Sequence, residues 1–390
     1  MGIIQATKNA STKRSLEEFL QSKGVEYAPF DPDRAKNIYA KLSNYFHISS
    51  KNIHIVGTNG KGSTGRFIAL GLLQAGYKVL HFTSPHLFDF NERYYKNGAI
   101  VSDLALQQTH EFLQQFDFIG DCSYFEYATF LACVLAQDVD FLVLEAGLGG
   151  EYDSTTCLPR DISVFTAIGL DHQEILGEHI EEIATTKLNS MAPIAFLAKQ
   201  SFPVIKEIAI KIAHKKNSKL HFVSSTKEGV FYSKKHSLPG FLTDNFDNAM
   251  NVLNYLNISP DIQKFPPLDI AGRCQKIAPN ITLDVGHNEQ AARELLKVFS
   301  NKKVILVYNT YRQKDVKSIL KTLKPIVEKI LIIEVQNERI IETDKLKSLI
   351  ATLDIDFGIF EASKIEKERE YLVFGSFSVV KQFLEESGAR

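Results

Sequence analysis

At 390 residues the chain is longer than one typical domain, and two is the natural expectation. Hydrophobic residues at 44%, charged residues at 23% and a net charge of −1 describe a soluble globular protein, with no electrostatic reason to expect nucleic acid or an anionic membrane as a partner. Cys122, Cys133, Cys157 and Cys274 include no C-x-x-C pair, and their spacing fits reduced, mostly buried thiols rather than a disulfide frame or a zinc site.

In chain order, Met1–Thr7 lacks a signal-peptide apolar core, and Ala6 stands where a myristoylation pattern needs Ser or Thr. The longest apolar stretch, Ala128–Ala136, is far short of a membrane span, so a cytoplasmic, monomeric enzyme acting on small molecules is expected. The most informative stretch follows. An apolar run, Ile53–Val56, meets Gly57-Thr58-Asn59-Gly60-Lys61-Gly62-Ser63-Thr64 and opens into a helical pattern at Arg66–Leu70. Glycines let backbone N–H groups fold around phosphate oxygens, a helix N-terminus adds positive potential, and lysine neutralises charge. The spacing differs from the common phosphate loop, because Gly57 and Gly60 are two residues apart and Gly62 intervenes before Ser63. A glycine-rich turn without chemistry leaves the lysine, the hydroxyls and the preceding strand unexplained. ATP is the expected ligand.

Further along, Lys78–Phe82 reads as a strand, and Thr83-Ser84-Pro85-His86-Leu87 with Asn91-Glu92-Arg93 as a loop. From these residues alone that loop is either a surface turn or the source of a metal-shell hydroxyl at Ser84. Helical patterns at Ser102–Phe116 and Phe125–Ala136 alternate with strands at Phe141–Glu145 and Ile162–Ala167, which argues for a parallel sheet covered by helices. The strand ending at Glu145 runs into Ala146-Gly147-Leu148-Gly149-Gly150. Chemistry in such sheets collects at the carboxyl ends of strands, so Glu145 should face bound phosphates as a metal ligand rather than cap a helix. His172, within Gly169-Leu170-Asp171-His172, also follows a predicted strand. It could converge with Glu145 on one magnesium, although Mg²⁺ prefers oxygen donors.

Lys264-Phe265-Pro266-Pro267-Leu268 should join the domains, because two prolines remove donors and bias their neighbours to extended forms. A second alternation follows: strand Ile281–Asp284, helix Asn288–Phe299, strand Lys303–Tyr308, helix Asp315–Leu323, strand Ile330–Glu334, helix Thr343–Ile350 and strand Tyr371–Phe374. This is an open α/β unit. The charged patch Lys364–Glu370 reads as a solvated helix face.

Taken together, Gly57–Ser63, Ser84-Pro85-His86-Leu87, Phe125-Glu126, Glu145 with its glycine loop, Leu170-Asp171-His172, Ile183-Ala184 with Lys187, Ala271-Gly272-Arg273, Asp284-Val285-Gly286-His287-Asn288 and Gly375-Ser376-Phe377 occur in one order. This resembles the folylpolyglutamate synthase and dihydrofolate synthase family, a branch of the Mur-type ATP-dependent amide ligases, over roughly Asp31 to Phe377. The resemblance implies a P-loop-type ATPase domain at 1–266 that binds ATP and folate, and a smaller Rossmann-like domain at 267–390. It implies ATP contacts at Thr58, Asn59, Gly60, Lys61, Gly62, Ser63, Thr64, Asn248, Arg273, Asp284 and His287. Two magnesium sites would be served by Ser84, Glu145, His172 and a carbamylated Lys187. Lys61, His172 and Lys187 would be catalytic, and Arg93 and Phe125 would contact the folate.

Departures from the family pattern are Glu151 where Arg is usual, Thr156 for Asn, Thr186 for the acid before the lysine, and Asp244-Asn245 for a His-Gln pair ahead of Asn248. The Gly-Met-x-x-Asp-Lys-Asp stretch survives only as Lys314-Asp315. The implied reaction activates the carboxylate of dihydropteroate or a folate as an acyl phosphate, which the amine of L-glutamate attacks, with both synthase activities in one chain. Two rival readings are a Mur-type cell-wall ligase and a catalytically dead ATP-binding module. About fifty residues before the phosphate loop are too few for the extra nucleotide domain of a cell-wall ligase.

Overall fold

The computed structural model describes residues 14–24 and 31–389; Met1–Thr7, read above for targeting signals, lies outside them. Strands β1 Lys51–Val56, β2 Val79–Phe82, β3 Tyr94–Lys96, β4 Ala99–Ile100, β5 Phe141–Glu145, β6 Ile162–Phe165, β7 Ile194–Leu197 and β8 Lys219–Phe222 form one sheet in the order β4-β3-β2-β5-β1-β6-β7-β8. All pairs are parallel except β2–β3 and β3–β4. The second sheet holds β9 Gln275–Ala278, β10 Ile281–Asp284, β11 Val304–Tyr308, β12 Val327–Ile332, β13 Asp356–Ile359 and β14 Tyr371–Phe374 in the order β13-β12-β11-β14-β10-β9, with only β9 antiparallel.

The central strands are apolar on both faces because helices cover both. β5 and β10 are buried along their whole length, and Ile53, Ile55, Leu283 and Val307 are fully enclosed. Parallel sheets require this double cover, and it is why the strands read as continuous apolar runs rather than alternating ones. The helix Lys61–Gln74 is itself buried from Gly62 to Leu72, as expected of a helix apolar on most sides.

Topology places the site. β1 lies between β5 and β6, with Ile55 opposite Glu145, so the loop after β1 emerges beside the end of β5. On the β6 side, the Thr58 N–H donates to the Ala167 carbonyl at 2.9 Å. The chain turns to opposite sides of β1 on its way to β2 and β6, which opens a crevice at the strand ends.

Two readings of the sequence are corrected. The strand placed at Ile330–Glu334 runs Val327–Ile332, where buried residues are interleaved with Glu328 and Lys329. The patch Lys364–Glu370 is not a helix: a short turn ends at Lys364, and the Asn280 side chain donates to the carbonyls of Glu366 and Arg369. The segment 264–268 is docked rather than free. Phe265 is buried against Tyr232 and Phe246, and the Tyr232 hydroxyl donates to the Pro266 carbonyl at 2.7 Å.

Candidate active site

The phosphate-type loop closes through Gly60, whose φ of 85° lies in the left-handed region that a Cβ disfavours. No side chain caps the helix that follows, so its first amides face the cleft. Lys61 Nζ lies 3.4 Å from the Thr58 carbonyl and 3.8 Å from Glu145 Oε1. Glu145 is buried at the end of β5, where its Oε2 accepts from the Thr83 hydroxyl and from the Ser84 N–H at 3.2 Å. The Ser63 hydroxyl is buried without a protein partner. Thr64 instead lies beneath the loop: its hydroxyl faces the Asn245 carbonyl and the Asn248 amide, so it ties the helix to Gly240–Tyr255.

Lys187 is buried, and its ammonium donates to the Gly57 carbonyl at 3.0 Å. Burial, with Lys61 nearby, lowers its pKa to about 7. The expected acid at Thr186 is absent, but Glu151 reaches the same helix: its Oε2 accepts from Asn189 at 2.7 Å. Thr156, in place of Asn, braces the glycine loop by donating to the Asp153 and Glu151 carbonyls.

His172 begins the short helix Gln173–Leu176 in a left-handed conformation, with Nδ1 3.7 Å from Glu174 Oε1. Burial lowers its pKa to about 3, which leaves the ring neutral and able to offer a lone pair. Among the described residues, no group of three or more His, Cys, Asp or Glu side chains could hold a metal by itself. Magnesium usually takes one or two carboxylates, waters and substrate phosphates. Glu145, Ser84 and the unpartnered Ser63 hydroxyl therefore suit an ion that arrives with a nucleotide better than a resident one.

The second sheet supplies the opposite wall. Arg273 is half-buried beside Glu145 and Asp284, and one of its nitrogens lies 3.6 Å from where a Cβ on Gly62 would sit. Asp284, at the end of β10, accepts from the Gly286 N–H at 2.7 Å and the Cys274 N–H at 2.9 Å, so each oxygen keeps a lone pair free. Burial raises its pKa against those donors and Arg273.

The strongest link between the two walls was not read from the sequence. Asp171 accepts from the Lys314 ammonium and from Asn288 Nδ2 at 3.1 Å, and His287 Nε2 lies 3.5 Å away. Burial alone would raise its pKa, but the hydrogen bond and charge of His287, with Lys314 and His172, hold it well below the usual carboxylate range. Asn59 exchanges hydrogen bonds with Asn288 and donates to Gln290 at 2.8 Å. Asp171 follows β6 as Glu145 ends β5, so the strand-end rule that singled out Glu145 could have flagged it too.

One cleft of about 1100 Å³ is lined by Lys61, Ser84, Glu145, His172, Lys187, Asn248, Arg273, Asp284 and His287. At its far end it is lined by Arg93 and Phe125 with Arg34, His86, Tyr124 and Tyr152. Phe125 packs against Gly147, and Arg93 is buried with its Nε donating to His86 at 2.9 Å. This part of the lining is aromatic with mixed charge, Arg34 being paired with Glu126 at 2.8 Å, and its rings suit a flat ring system.

No family model matches the chain. It is 31% identical over 353 residues to the dihydrofolate synthase/folylpolyglutamate synthase of Bacillus subtilis, covering 76% of this chain and 79% of the relative. The Helicobacter pylori folylpolyglutamate synthetase structure is 42% identical with a TM-score of 0.78, over 96% of this chain and 98% of that one. A bifunctional enzyme from Yersinia pestis, solved with AMPPNP and Mn ion, shares the fold at 22% identity and a TM-score of 0.82, over 97% and 99% of the two chains. With a phosphate-type loop, a strand-end glutamate and a two-walled cleft arranged as described, this chain belongs to the dihydrofolate synthase/folylpolyglutamate synthase family.

Proposed function

We propose that the protein is an ATP-dependent ligase that joins L-glutamate to the carboxylate of a pteroate or folate through an acyl phosphate, with both dihydrofolate synthase and folylpolyglutamate synthase activities. The observation that carries this reading is the single cleft. It places a phosphate-type loop, a buried strand-end carboxylate and a group of aromatic side chains within one volume. ATP lies on the loop amides of residues 58–64 with Lys61 at its β- and γ-phosphates. Arg273, Asp284 and His287 cover it from the second lobe, Asp284 with its spare lone pairs toward the ribose. Ser84, Glu145 and His172 would hold a magnesium ion that arrives with the nucleotide, and that ion would offset charge on the transferring phosphoryl group.

The carboxylate oxygen of the folate attacks the γ-phosphorus and ADP leaves. The glutamate amine then attacks the acyl carbon, phosphate departs, and the amine proton passes to solvent or a phosphate oxygen. The protein positions the three reactants and keeps water from the acyl phosphate. Support for the folate class comes from the aromatic residues Phe125, Tyr124 and Tyr152, with Arg93, in the lining of the cleft. A cell-wall ligase is disfavoured by the Ser84-Pro85-His86-Leu87 segment. A coupled assay of ADP release with dihydropteroate and with tetrahydrofolate, each with and without glutamate, tests the reading. Glutamate-dependent release with both acceptors supports it, and release with neither refutes it.

Lys187 is proposed to carry a carbamate. Its amine, held near neutrality by burial, has a lone pair able to attack CO₂ with loss of a proton, which converts a cation into an oxygen donor. Lys187→Ala is expected to lose activity and recover part of it with added acetate, which restores the missing oxygens. Density for an unmodified ammonium in an ATP-bound crystal would count against this.

A further inference from the structure

Arg66 stands in the second turn of the helix that begins at Lys61, with its side chain 5% exposed. Its Nη1 donates to Asp269 Oδ1 at 2.7 Å and its Nε donates to His81 Nδ1 at 3.2 Å. The guanidinium carbon lies 3.7 Å from the centroid of the Tyr95 ring. Gly65 makes room for this arrangement: a Cβ there would meet His81 Nε2 at 2.5 Å. Three different side chains therefore fix one planar cation, a geometry that lysine cannot reproduce.

Asp269 belongs to the connection between the lobes. Before it, Phe265 and Leu268 pack into the first lobe. After it, Ala271 packs into the second, and Gly272, at φ +69°, accepts from Val285 and donates to Gln275. Only Ile270 separates a residue anchored to one lobe from a residue anchored to the other. Arg273, whose guanidinium reaches the loop at Gly62, follows directly.

We infer that Arg66 and Asp269 are positioning residues for Arg273: they tie the inter-lobe connection to the phosphate-loop helix, confine the pivot between lobes to 270–272, and so set where the Arg273 guanidinium meets the nucleotide. This rests on the reading of the cleft as an ATP site. The pivot therefore lies beyond the proline segment 264–268. An exposed ion pair would contribute little. Here Arg66 is buried, so losing Asp269 leaves a desolvated cation without an anion and loosens the connection.

The test compares full-length Asp269→Asn, Asp269→Glu and Arg66→Lys with the parent. Magnesium–AMPPNP affinity is measured by calorimetry, and KM for ATP and kcat by glutamate-dependent ADP release. Asp269→Asn and Arg66→Lys are expected to weaken AMPPNP about ten-fold and to raise KM for ATP by a similar factor, as loss of one charge-assisted contact would. In both, kcat should change less than three-fold, and Asp269→Glu should restore most of the affinity. Affinity within two-fold of the parent in both variants overturns the proposal. So does a fall in kcat and melting temperature with KM unchanged, because that marks a merely structural role. Should Arg66→Lys fold poorly, the two Asp269 variants decide alone, since that side chain is 42% exposed. If the parent binds AMPPNP but makes no amide, the functional reading fails while the binding comparison still decides this one.

Discussion

Lys61→Ala is expected to lower kcat by roughly a thousand-fold or more, since a preorganised cation on a transferring phosphoryl group contributes several kcal/mol to its transition state. The structure explains why no neighbour would compensate. Lys187 has a lowered pKa even as a free amine and would be an anion as a carbamate, so it offers no replacement cation, and Arg273 approaches from the opposite wall at Gly62. Lys61 is restrained by the Thr58 carbonyl and by Glu145, so its ammonium is held ready over the loop. Its loss also leaves the buried Glu145 carboxylate without its nearest cation. The fold should persist, because apolar burial around this loop comes from the helix beyond it, at Phe67, Ile68 and Leu72. Circular dichroism and single-turnover phosphoryl transfer measure the two halves of the expectation. A variant with a native spectrum and near-native turnover would refute the assignment.

Much of this site was legible because it is built from strand ends. β5, β10 and β14 lie where the sequence places them, since each is a fully buried apolar run between polar turns, and the loop and Glu145 follow from β1 and β5. Short or polar strands left no such signal. β8 at Lys219–Phe222 and β13 at Asp356–Ile359 are half exposed, and the β3–β4 hairpin is too brief to show a period. The long-range contacts were illegible for a different reason. Asp171 and Lys314 are 143 residues apart in sequence, and Arg66 and Asp269 are 203 apart. The first pair exists only once the two lobes meet and the second only once the connection docks on the first lobe, so no local pattern encodes them. His172 shows both sides: its place after β6 was readable, but its left-handed backbone and its neutral ring follow from packing.

Asp171→Asn is expected to produce the second-largest loss, through closure rather than chemistry. In the wild-type chain a buried carboxylate on the first lobe gathers Lys314, Asn288 and His287 from the second. Asparagine keeps one acceptor oxygen but removes the charge, so the Lys314 ammonium, with its side chain only 10% exposed, is left without its anion. Breaking one side of a buried ion pair costs about 3–5 kcal/mol. Only the closed arrangement bears that cost, because in an open one Lys314 would regain water. The closed population should therefore fall by roughly a hundred-fold or more, as each 1.4 kcal/mol is a factor of ten. Both walls of the ATP site are needed at once, so KM for ATP should rise. An acyl phosphate formed in a gaping cleft meets water, so more ATP should be hydrolysed per amide formed. Asn288→Ala, which removes hydrogen bonds to Asp171, Asn59 and the Ala291 N–H but no charge, should show the same two changes at a smaller scale. The ratio of ADP released to amide formed, measured beside KM, separates this from a purely chemical defect. An Asp171→Asn enzyme with low kcat but an unchanged ratio and an unchanged KM would place Asp171 in the chemistry and remove it from the latch.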